Sequence, residues 1–166
     1  EEATGRPPRF VDGHQHVHVL PGVREAVLSL FGPRLDPART WVRVCTSPVA
    51  AILFRRVAVR RALVIDRLSR PLARAVGAGF LHANDDFRGV TGFGVARVAE
   101  DFAAFLEGPG ERPLVMCHPG RVDAPLVGRD PVHARREAEF AFLAGPAFAE
   151  ALERRGLVLA PLLPAP

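Results

Sequence analysis

The chain has 166 residues, with 22 arginines and no lysine against 18 acidic residues, and 48% of its residues are hydrophobic. This composition is typical of one globular domain with a hydrophobic core, and it excludes disordered and fibrous proteins. Arginines interrupt even the most apolar stretch, residues 50–81. A membrane-spanning protein is therefore excluded, because such a helix needs about 20 consecutive apolar residues.

The N-terminus lacks the features of a translation start. Residue 1 is glutamate, the only methionine is Met116, and the first ten residues contain no apolar core of a signal peptide. We therefore expect the chain to be a piece of a longer protein. Its two cysteines, Cys45 and Cys117, lie far apart and lack the paired spacing of a metal site, which favours a reduced, cytoplasmic protein.

The net charge of +4 is weak evidence for an anionic partner. Seven arginines fall within residues 55–74, but Phe54 is the only aromatic residue beside them. A nucleic-acid-binding surface combines a basic face with stacking aromatics, so we expect no nucleic-acid partner here. The alternative, a nucleic-acid site on this helix, predicts an affinity that falls steeply with salt.

Short apolar segments alternate with longer helical patterns along the chain. The pattern predicts strands over residues 9–11, 41–45, 80–83, 114–117 and 157–159, and helices over residues 22–31, 49–76, 95–106 and 131–155, the last broken at Gly145-Pro146. This alternation predicts an α/β fold, a single domain over residues 1–166 with parallel strands and crossover helices. An open doubly wound sheet and part of a (β/α) barrel both fit the pattern.

Polar residues follow the predicted strands, where both architectures place their sites. The first strand is followed by Asp12, His14, His16 and His18, the second contains Arg43, and the later ones precede residues 84–87, His118 and Asp123. We therefore predict a polar catalytic rim at the carboxyl ends of the strands.

The histidine run His14-x-His16-x-His18 places three imidazoles on one side if its backbone is extended. Neutral imidazole is a common zinc ligand, and Asp12 is suited either to bind the metal or to orient a histidine. A hydrogen-bonded strand end and a surface metal-binding patch are the alternatives.

His118 is expected at the rim, where its near-neutral pKa suits a general acid or base, or a hydrogen bond to a substrate hydroxyl. Cys117 is expected to point the other way, into the packing, which disfavours a thiol hydrolase. Arg43 lies in an apolar strand and needs a partner. It could orient a carboxylate or bind a sugar oxygen.

Two pairs of charged residues have open interpretations. Asp85 and Asp86 form either a carboxylate pair for acid–base or metal chemistry or a turn that satisfies backbone donors. Arg136 and Glu139 are spaced i, i+3, which predicts a salt bridge on a solvated helix face. If that pair faces the rim, it would support His118.

Taken together, these motifs resemble those of the YdjC-like carbohydrate deacetylases, the family that includes chitooligosaccharide deacetylases and hopanoid-biosynthesis-associated members. The resemblance covers nearly the whole chain. It is carried by Val11-Asp12-Gly13-His14-Gln15-His16-Val17-His18 with Pro21, Asn84-Asp85-Asp86-Phe87-x-Gly89, Met116-Cys117-His118-Pro119-Gly120 with Asp123, and Arg136-x-x-Glu139-x-x-x-Leu143.

The resemblance implies the C-terminal portion of a distorted TIM-like (β/α) barrel that removes N-acetyl groups from an amino sugar or chitooligosaccharide. It implies one divalent metal ion, magnesium or zinc, with His14 as a ligand. It also implies His118 as the acid that protonates the departing amine, and Asp12, His16, His18, Arg43 and Asp123 as residues that contact the sugar or support the site. The family's aspartate ligand, second histidine ligand and general base have no match here.

Because only one of three expected metal ligands is present, we expect this piece to bind metal weakly and to have little activity alone. A barrel without its first strands exposes a sheet edge that favours association, and a homodimer is one arrangement we consider. The alternative function is a non-catalytic (β/α) module that has lost its metal site and binds a sugar or a partner.

Overall fold

The computed structural model describes residues 7–79, 81–108 and 110–162, and helices and strands alternate along them. The strands are β1 (Phe10–Val11), β2 (Trp41–Val42), β3 (Asp86–Arg88) and β4 (Pro113–Val115). The helices are α1 (Val23–Leu28), α2 (Val49–Arg55), α3 (Val59–Ala78), α4 (Val98–Phe105), α5 (Ala124–Val127), α6 (His133–Ala144) and α7 (Pro146–Glu153), with 3₁₀ helices at His14–Val19 and Val95–Arg97. The α/β class predicted from the sequence is confirmed.

All the strand pairs within the described residues are parallel. Strand β1 pairs with β2, and β3 pairs with β4. The two ladders are joined by a parallel bridge between Trp41 and His82 and by a hydrogen bond from the Phe87 N–H to the Thr46 carbonyl oxygen at 2.9 Å. The segments therefore lie side by side in chain order. The barrel that the resemblance implies stays a prediction.

The side chain of Asn84 continues the ladder where the backbones of the β2 and β3 segments diverge. Its Oδ1 accepts the Val44 N–H at 2.9 Å, and its Nδ2 donates to the Val44 carbonyl oxygen at 2.8 Å. A carboxamide carries a donor and an acceptor in one plane, as a peptide group does. Asn84 is therefore buried without leaving polar groups unsatisfied.

Helix α3 covers the sheet with a face that is part apolar and part polar. Its buried residues Asp66, Ser69, Leu72 and Val76 recur every three or four positions, which places them on one side of the helix. Ser69 accepts the N–H of Cys45 at 2.7 Å, and Asp66 accepts that of Ser47 at 3.1 Å. These two side chains satisfy buried backbone donors beyond the end of β2, which would otherwise cost free energy.

Two apolar clusters hold the elements together. The first lies between the sheet and α3 and contains Val19, Val42, Val44, Cys45, Leu72, Val76, Phe87 and Val90. The second joins α4, α6 and α7 through the rings of Phe102, Phe142 and Phe148, whose centroids lie 5.3 to 6.1 Å apart. No helix in the described ranges is both long and apolar enough to cross a membrane.

Several predicted elements differ in the structure. The predicted strand over residues 157–159 is wrong: its Val158 is 87% exposed, and these residues pair with no described strand. The predicted helix over residues 49–76 is two helices, because Arg56 and Ala58 adopt left-handed backbone angles between α2 and α3. In the predicted strand over residues 80–83, Phe80 lies outside the described residues and His82 forms only the bridge to Trp41.

Candidate functional site

A groove of about 740 Å³ lies at the carboxyl ends of the parallel strands. The turn that follows β1 forms one side, with Asp12, His14 and His16, and Arg43 lies beside it after β2. Met116, Cys117 and His118, which follow β4, form another side. The groove is completed by Arg61, Ile65, Val90, Thr91, Phe93, Leu126, Arg129, Asp130, Pro131, Val132 and Arg136, together with Gly13 and Gln15.

The histidine run is a 3₁₀ turn, so the extended backbone that would place three imidazoles on one side is not formed. Gln15 and His16 adopt left-handed angles, with φ of 51° and 64°. The Gly13 carbonyl oxygen accepts the His16 N–H at 3.0 Å, which closes the turn. As a result, His14 is exposed, His16 is half-buried and His18 is buried.

Arg43 is buried and connects this turn to the sheet through hydrogen bonds of its guanidinium group. Its Nε donates to Asp12 Oδ1 at 2.7 Å, its Nη2 donates to the Gly13 carbonyl oxygen at 3.1 Å, and its Nη1 lies 3.0 Å from His16 Nδ1. The guanidinium carbon also lies 5.0 Å from the centroid of the Phe87 ring. The partner that the buried charge requires is Asp12. Because the protein occupies the guanidinium, a positioning role is favoured over a sugar contact.

His16 and His18 are held neutral near pH 7. Burial and the nearby Arg43 charge lower the pKa of His16 to about 4. The same two causes lower the pKa of His18, which accepts the Gly13 N–H at Nδ1 and contacts the Arg43 carbonyl oxygen through Nε2. His16 lines the groove, whereas His18 lies behind it and supports the turn.

His118 lies in the groove beside an aromatic ring. Burial lowers its pKa, although the carboxylate of Glu139 acts in the opposite direction. Its ring meets the ring of Phe93 edge to face, with centroids 6.0 Å apart. Its Nδ1 is buried and has no hydrogen-bond partner in the described part of the chain. The imidazole is therefore neutral at pH 7 and retains unused hydrogen-bonding capacity.

Cys117 is exposed and lines the groove with His118, so the prediction that it points into the packing is wrong. Strand β4 ends at Val115, and the strand alternation on which that prediction relied does not extend to residues 117 and 118. The surrounding protein and Glu139 raise the pKa of the Cys117 thiol. A protonated thiol is a poor nucleophile, so a thiol hydrolase stays disfavoured.

Three predicted acidic residues have structural contacts outside the groove. Asp123 caps α5 by accepting the Leu126 N–H at 2.9 Å. Asp85 accepts the Arg112 N–H, also at 2.9 Å. Asp86 belongs to β3, where it is buried in an ion pair with Arg55 and Arg88. Asp85 therefore satisfies a backbone donor, as the turn alternative expects, whereas Asp86 is a strand residue whose carboxylate is shared by two arginines. The two side chains have separate partners, so the predicted carboxylate pair for acid–base or metal chemistry is wrong.

The predicted Arg136–Glu139 salt bridge is also wrong. Arg136 pairs with Asp130, whereas Glu139 pairs with Arg135, one turn earlier on α6. Both Arg135 and Glu139 are 1% exposed, so their pair is buried and not on a solvated face. Glu139 binds Arg135 through Oε1, and its other carboxylate oxygen, Oε2, accepts the backbone N–H of His118. Support of His118 by Glu139 is therefore present, with a different arginine.

Sequence reasoning missed Phe93. Its φ of 62° is unusual for a bulky residue, and the Arg61 guanidinium carbon lies 5.0 Å from its ring centroid. The signal was available in Gly92-Phe93-Gly94, where two glycines flank a single aromatic residue. Non-glycine residues held in this conformation cluster at binding and active sites.

The described residues do not form a complete metal site. Within residues 7–79, 81–108 and 110–162, no group of three or more histidine, cysteine, aspartate or glutamate side chains could hold a metal ion. His14 lies exposed in the groove with its imidazole available, but no such ligand set surrounds it.

Comparison with known proteins identifies the family. The model of the YdjC-like protein family matches residues 1–154. The chain belongs to the YdjC-like family. Two relatives, each called carbohydrate deacetylase, are 32% identical to this YdjC-like chain: the mouse protein over 146 residues and the human protein over 143. Each match covers 76% of this chain but only 43% and 42% of the mouse and human proteins. The chain therefore spans less than half of their length. No solved structure matches.

Proposed function

We propose that the protein is a hydrolase that removes the N-acetyl group from an amino sugar or chitooligosaccharide bound in the groove. The observation that carries the proposal is the neutral His118 imidazole beside Phe93, at the carboxyl end of β4 in a YdjC-like chain. The names of the mouse and human relatives support a carbohydrate substrate.

The groove lining suits an acetylated sugar. A sugar ring presents hydroxyl groups at its edge and C–H groups on its faces, so it needs polar and apolar contacts together. Phe93, Met116 and Val132 offer apolar surface, and His14 and Arg129 are exposed polar groups in the same lining. Sites for small ligands commonly combine apolar walls with a few polar groups that fix orientation.

The proposed chemistry is the hydrolysis of an amide. The oxygen of a water molecule forms a bond to the acetyl carbon, the C–N bond breaks, and acetate and a free amine leave. A neutral His118 is able to take the proton from the attacking water and then deliver it to the departing nitrogen. This role adds a first step, proton acceptance, to the acid role that the resemblance implies.

The metal ion stays a prediction, as magnesium or zinc with His14 as the ligand from this chain. Because the described residues supply no full ligand set, the proposal assigns the proton transfers to His118 alone. A cytoplasmic location and a homodimer are further predictions. Cell fractionation and light scattering would test them.

The test is titration of the ¹⁵N-labelled chain with di-N-acetylchitobiose, together with an enzymatic assay for released acetate. We expect saturable shifts confined to groove residues, with Phe93 and His118 among them, and slow acetate release, in keeping with the low activity expected of the chain alone, that His118→Gln abolishes. His133→Gln, on the first turn of α6 and outside the groove lining, is the matched control.

Two other results would contradict the proposal. Saturable sugar binding that a chelator leaves unchanged, without acetate release, would indicate the non-catalytic sugar-binding module. Equal acetate release by His118→Gln and His133→Gln would refute the role of His118.

A further inference from the structure

A buried chain of ion pairs connects α4 and α6 to the backbone of His118. Arg135 on α6 donates through Nη1 to Asp101 of α4 at 2.9 Å and through Nε to Glu139 Oε1 at 2.7 Å. The second carboxylate oxygen of Glu139 accepts the His118 N–H at 2.6 Å. Arg135 and Glu139 are both 1% exposed. We call Asp101, Arg135 and Glu139 the buried triad.

The buried triad also contacts the loop that carries Phe93, whose ring packs against the His118 imidazole. Arg135 Nη1 donates to the Gly94 carbonyl oxygen at 2.6 Å. Gly94 directly follows Phe93, whose ring contacts that of His118. One guanidinium is therefore bonded to the loop that carries Phe93 and, through Glu139, to the turn that carries His118.

Two buried nitrogens in and beside the triad lack a hydrogen-bond partner within the described residues. They are His118 Nδ1 and Arg135 Nη2. Both belong to this assembly. Buried polar groups are normally paired, and an exception calls for an explanation such as a catalytic role or a missing ligand.

We propose, on the basis of the function proposed above, that Glu139 and Arg135 are positioning residues for His118. The carboxylate of Glu139 fixes the His118 peptide, and Arg135 fixes that carboxylate and the Phe93 loop in the same register. The spacing between the His118 imidazole and the Phe93 ring is thereby set before substrate binds. Positioning of this kind lowers the cost of organising the reacting groups.

The charge of the triad also acts on the imidazole. Glu139 raises the pKa of His118 against the lowering caused by burial. The titratable and charged groups that interact electrostatically with the His118 imidazole are the following: Glu139, Arg135 and Arg136 of α6, Asp130 of the preceding loop and His16 of the turn after β1. Removing the Glu139 charge would leave the other groups in place.

The test compares Glu139→Gln with Glu137→Gln, an exposed glutamate on the same helix. We expect Glu139→Gln to lower the His118 imidazole pKa measured by NMR and to move the His118 amide proton upfield. We expect kcat for acetate release to fall on the order of 100-fold, as for other misplaced catalytic groups, with a smaller change in KM. Glu139→Asp keeps the charge and should restore the imidazole pKa. Glu137→Gln should change none of these values.

A further measurement covers the case in which Glu139→Gln does not fold. In the unaltered protein, the His118 amide proton should exchange slowly with solvent and resonate downfield, because it donates to a buried carboxylate. A rapidly exchanging His118 amide, or equal imidazole pKa values in the two Gln variants, would overturn the inference. The two proposals fail separately: the NMR differences without acetate release would contradict only the deacetylase activity, and acetate release unaffected by Glu139→Gln would contradict only the positioning role.

Discussion

The His18 imidazole contacts the Arg43 carbonyl oxygen through Nε2 at 2.9 Å, while its Nδ1 accepts the Gly13 N–H at 3.1 Å. These partners assign the proton to Nε2, since Nδ1 already accepts a hydrogen bond. Protonation of Nδ1 would break the bond from Gly13. The neutral form of His18 is therefore part of the folded structure.

The first prediction is loss of stability in mild acid. The pKa of His18 is lower in the folded chain than its ordinary value of 6.5, so the unfolded chain takes up a proton first as the pH falls. The contribution to stability is present above pH 6.5 and is lost as the pH falls from there towards the folded pKa. Urea unfolding between pH 7.5 and 4.5 should show this decline.

The matched variant for this prediction is His18→Asn, which keeps a polar side chain but does not titrate. It should be less stable at pH 7.5, and its stability should decline less between pH 7.5 and 4.5. His16 and His118 also have lowered pKa values, so some decline should persist. A decline as large as that of the unaltered chain would show that His18 does not contribute.

The second prediction concerns Arg43. Arg43→Met should cost about 1 to 3 kcal/mol of unfolding free energy, because the Gly13 carbonyl oxygen and the Asp12 carboxylate, which is 43% exposed, lose their buried donor. Arg43→Lys should also destabilise, since an ammonium does not reproduce the fork that reaches Asp12, Gly13 and His16. Chemical denaturation measures both. Arg39→Met, at an exposed position, is the control. Equal losses of unfolding free energy at the two positions would refute the role of Arg43 in connecting the turn to the sheet.

The third prediction concerns the two thiols. Burial raises the pKa of Cys45 to about 12, and the side chain is 2% exposed, whereas Cys117 is exposed. An aromatic disulfide reagent at pH 8 should therefore label one thiol in the folded chain and two in urea. Cys117→Ser should abolish labelling of the folded chain. Rapid labelling of that variant would mean that the β2 segment is accessible and the described packing is incorrect.

The fourth prediction tests the close approach of two loops that line the groove. Gly89 has φ of 96°, and a Cβ there would lie 2.0 Å from the Met116 carbonyl oxygen. Gly89→Ala should therefore cost more than about 2 kcal/mol, from backbone strain and from displacement of the segment that leads to His118. Gly92→Ala is the control, because a Cβ there meets nothing within 4 Å. Equal thermal stability of the two variants would contradict this geometry.

The sequence predicted the α/β class and the place of the groove residues because both follow from local patterns. Alternating apolar segments specify parallel strands, and the carboxyl ends of such strands lie together. His14 and His118 lie at one edge for this reason, whatever contacts their side chains make. This prediction did not require the exact ends of the strands.

The sequence did not predict contacts that depend on tertiary packing. The left-handed angles of Gln15 and His16 depend on the bonds to Gly13 and Arg43, so a strand-like spacing suggested the wrong geometry. The choice of Arg135 over Arg136 as the partner of Glu139 depends on which side of α6 faces α4. Helical spacing permits both pairs, at i, i+4 and i, i+3. Only the packed structure distinguishes them.

The fifth prediction concerns Phe93 as a platform for a sugar ring. Arg61 and His118 hold its ring in the groove, so stacking against a sugar requires little further ordering. Phe93→Ala should weaken binding of di-N-acetylchitobiose roughly tenfold, equivalent to about 1.4 kcal/mol. Phe93→Leu keeps apolar volume but lacks the aromatic face, and it should lose nearly as much affinity.

The control for Phe93 is Phe54→Ala on α2, where the ring is 75% exposed and outside the groove lining. Calorimetric titration of the three variants separates the contributions. If Phe93→Leu binds as tightly as the unaltered chain, apolar burial alone explains the affinity and the aromatic face is not used. If Phe93→Ala and Phe54→Ala bind equally well, the sugar does not contact Phe93, and the acetyl group must reach His118 from another side of the groove.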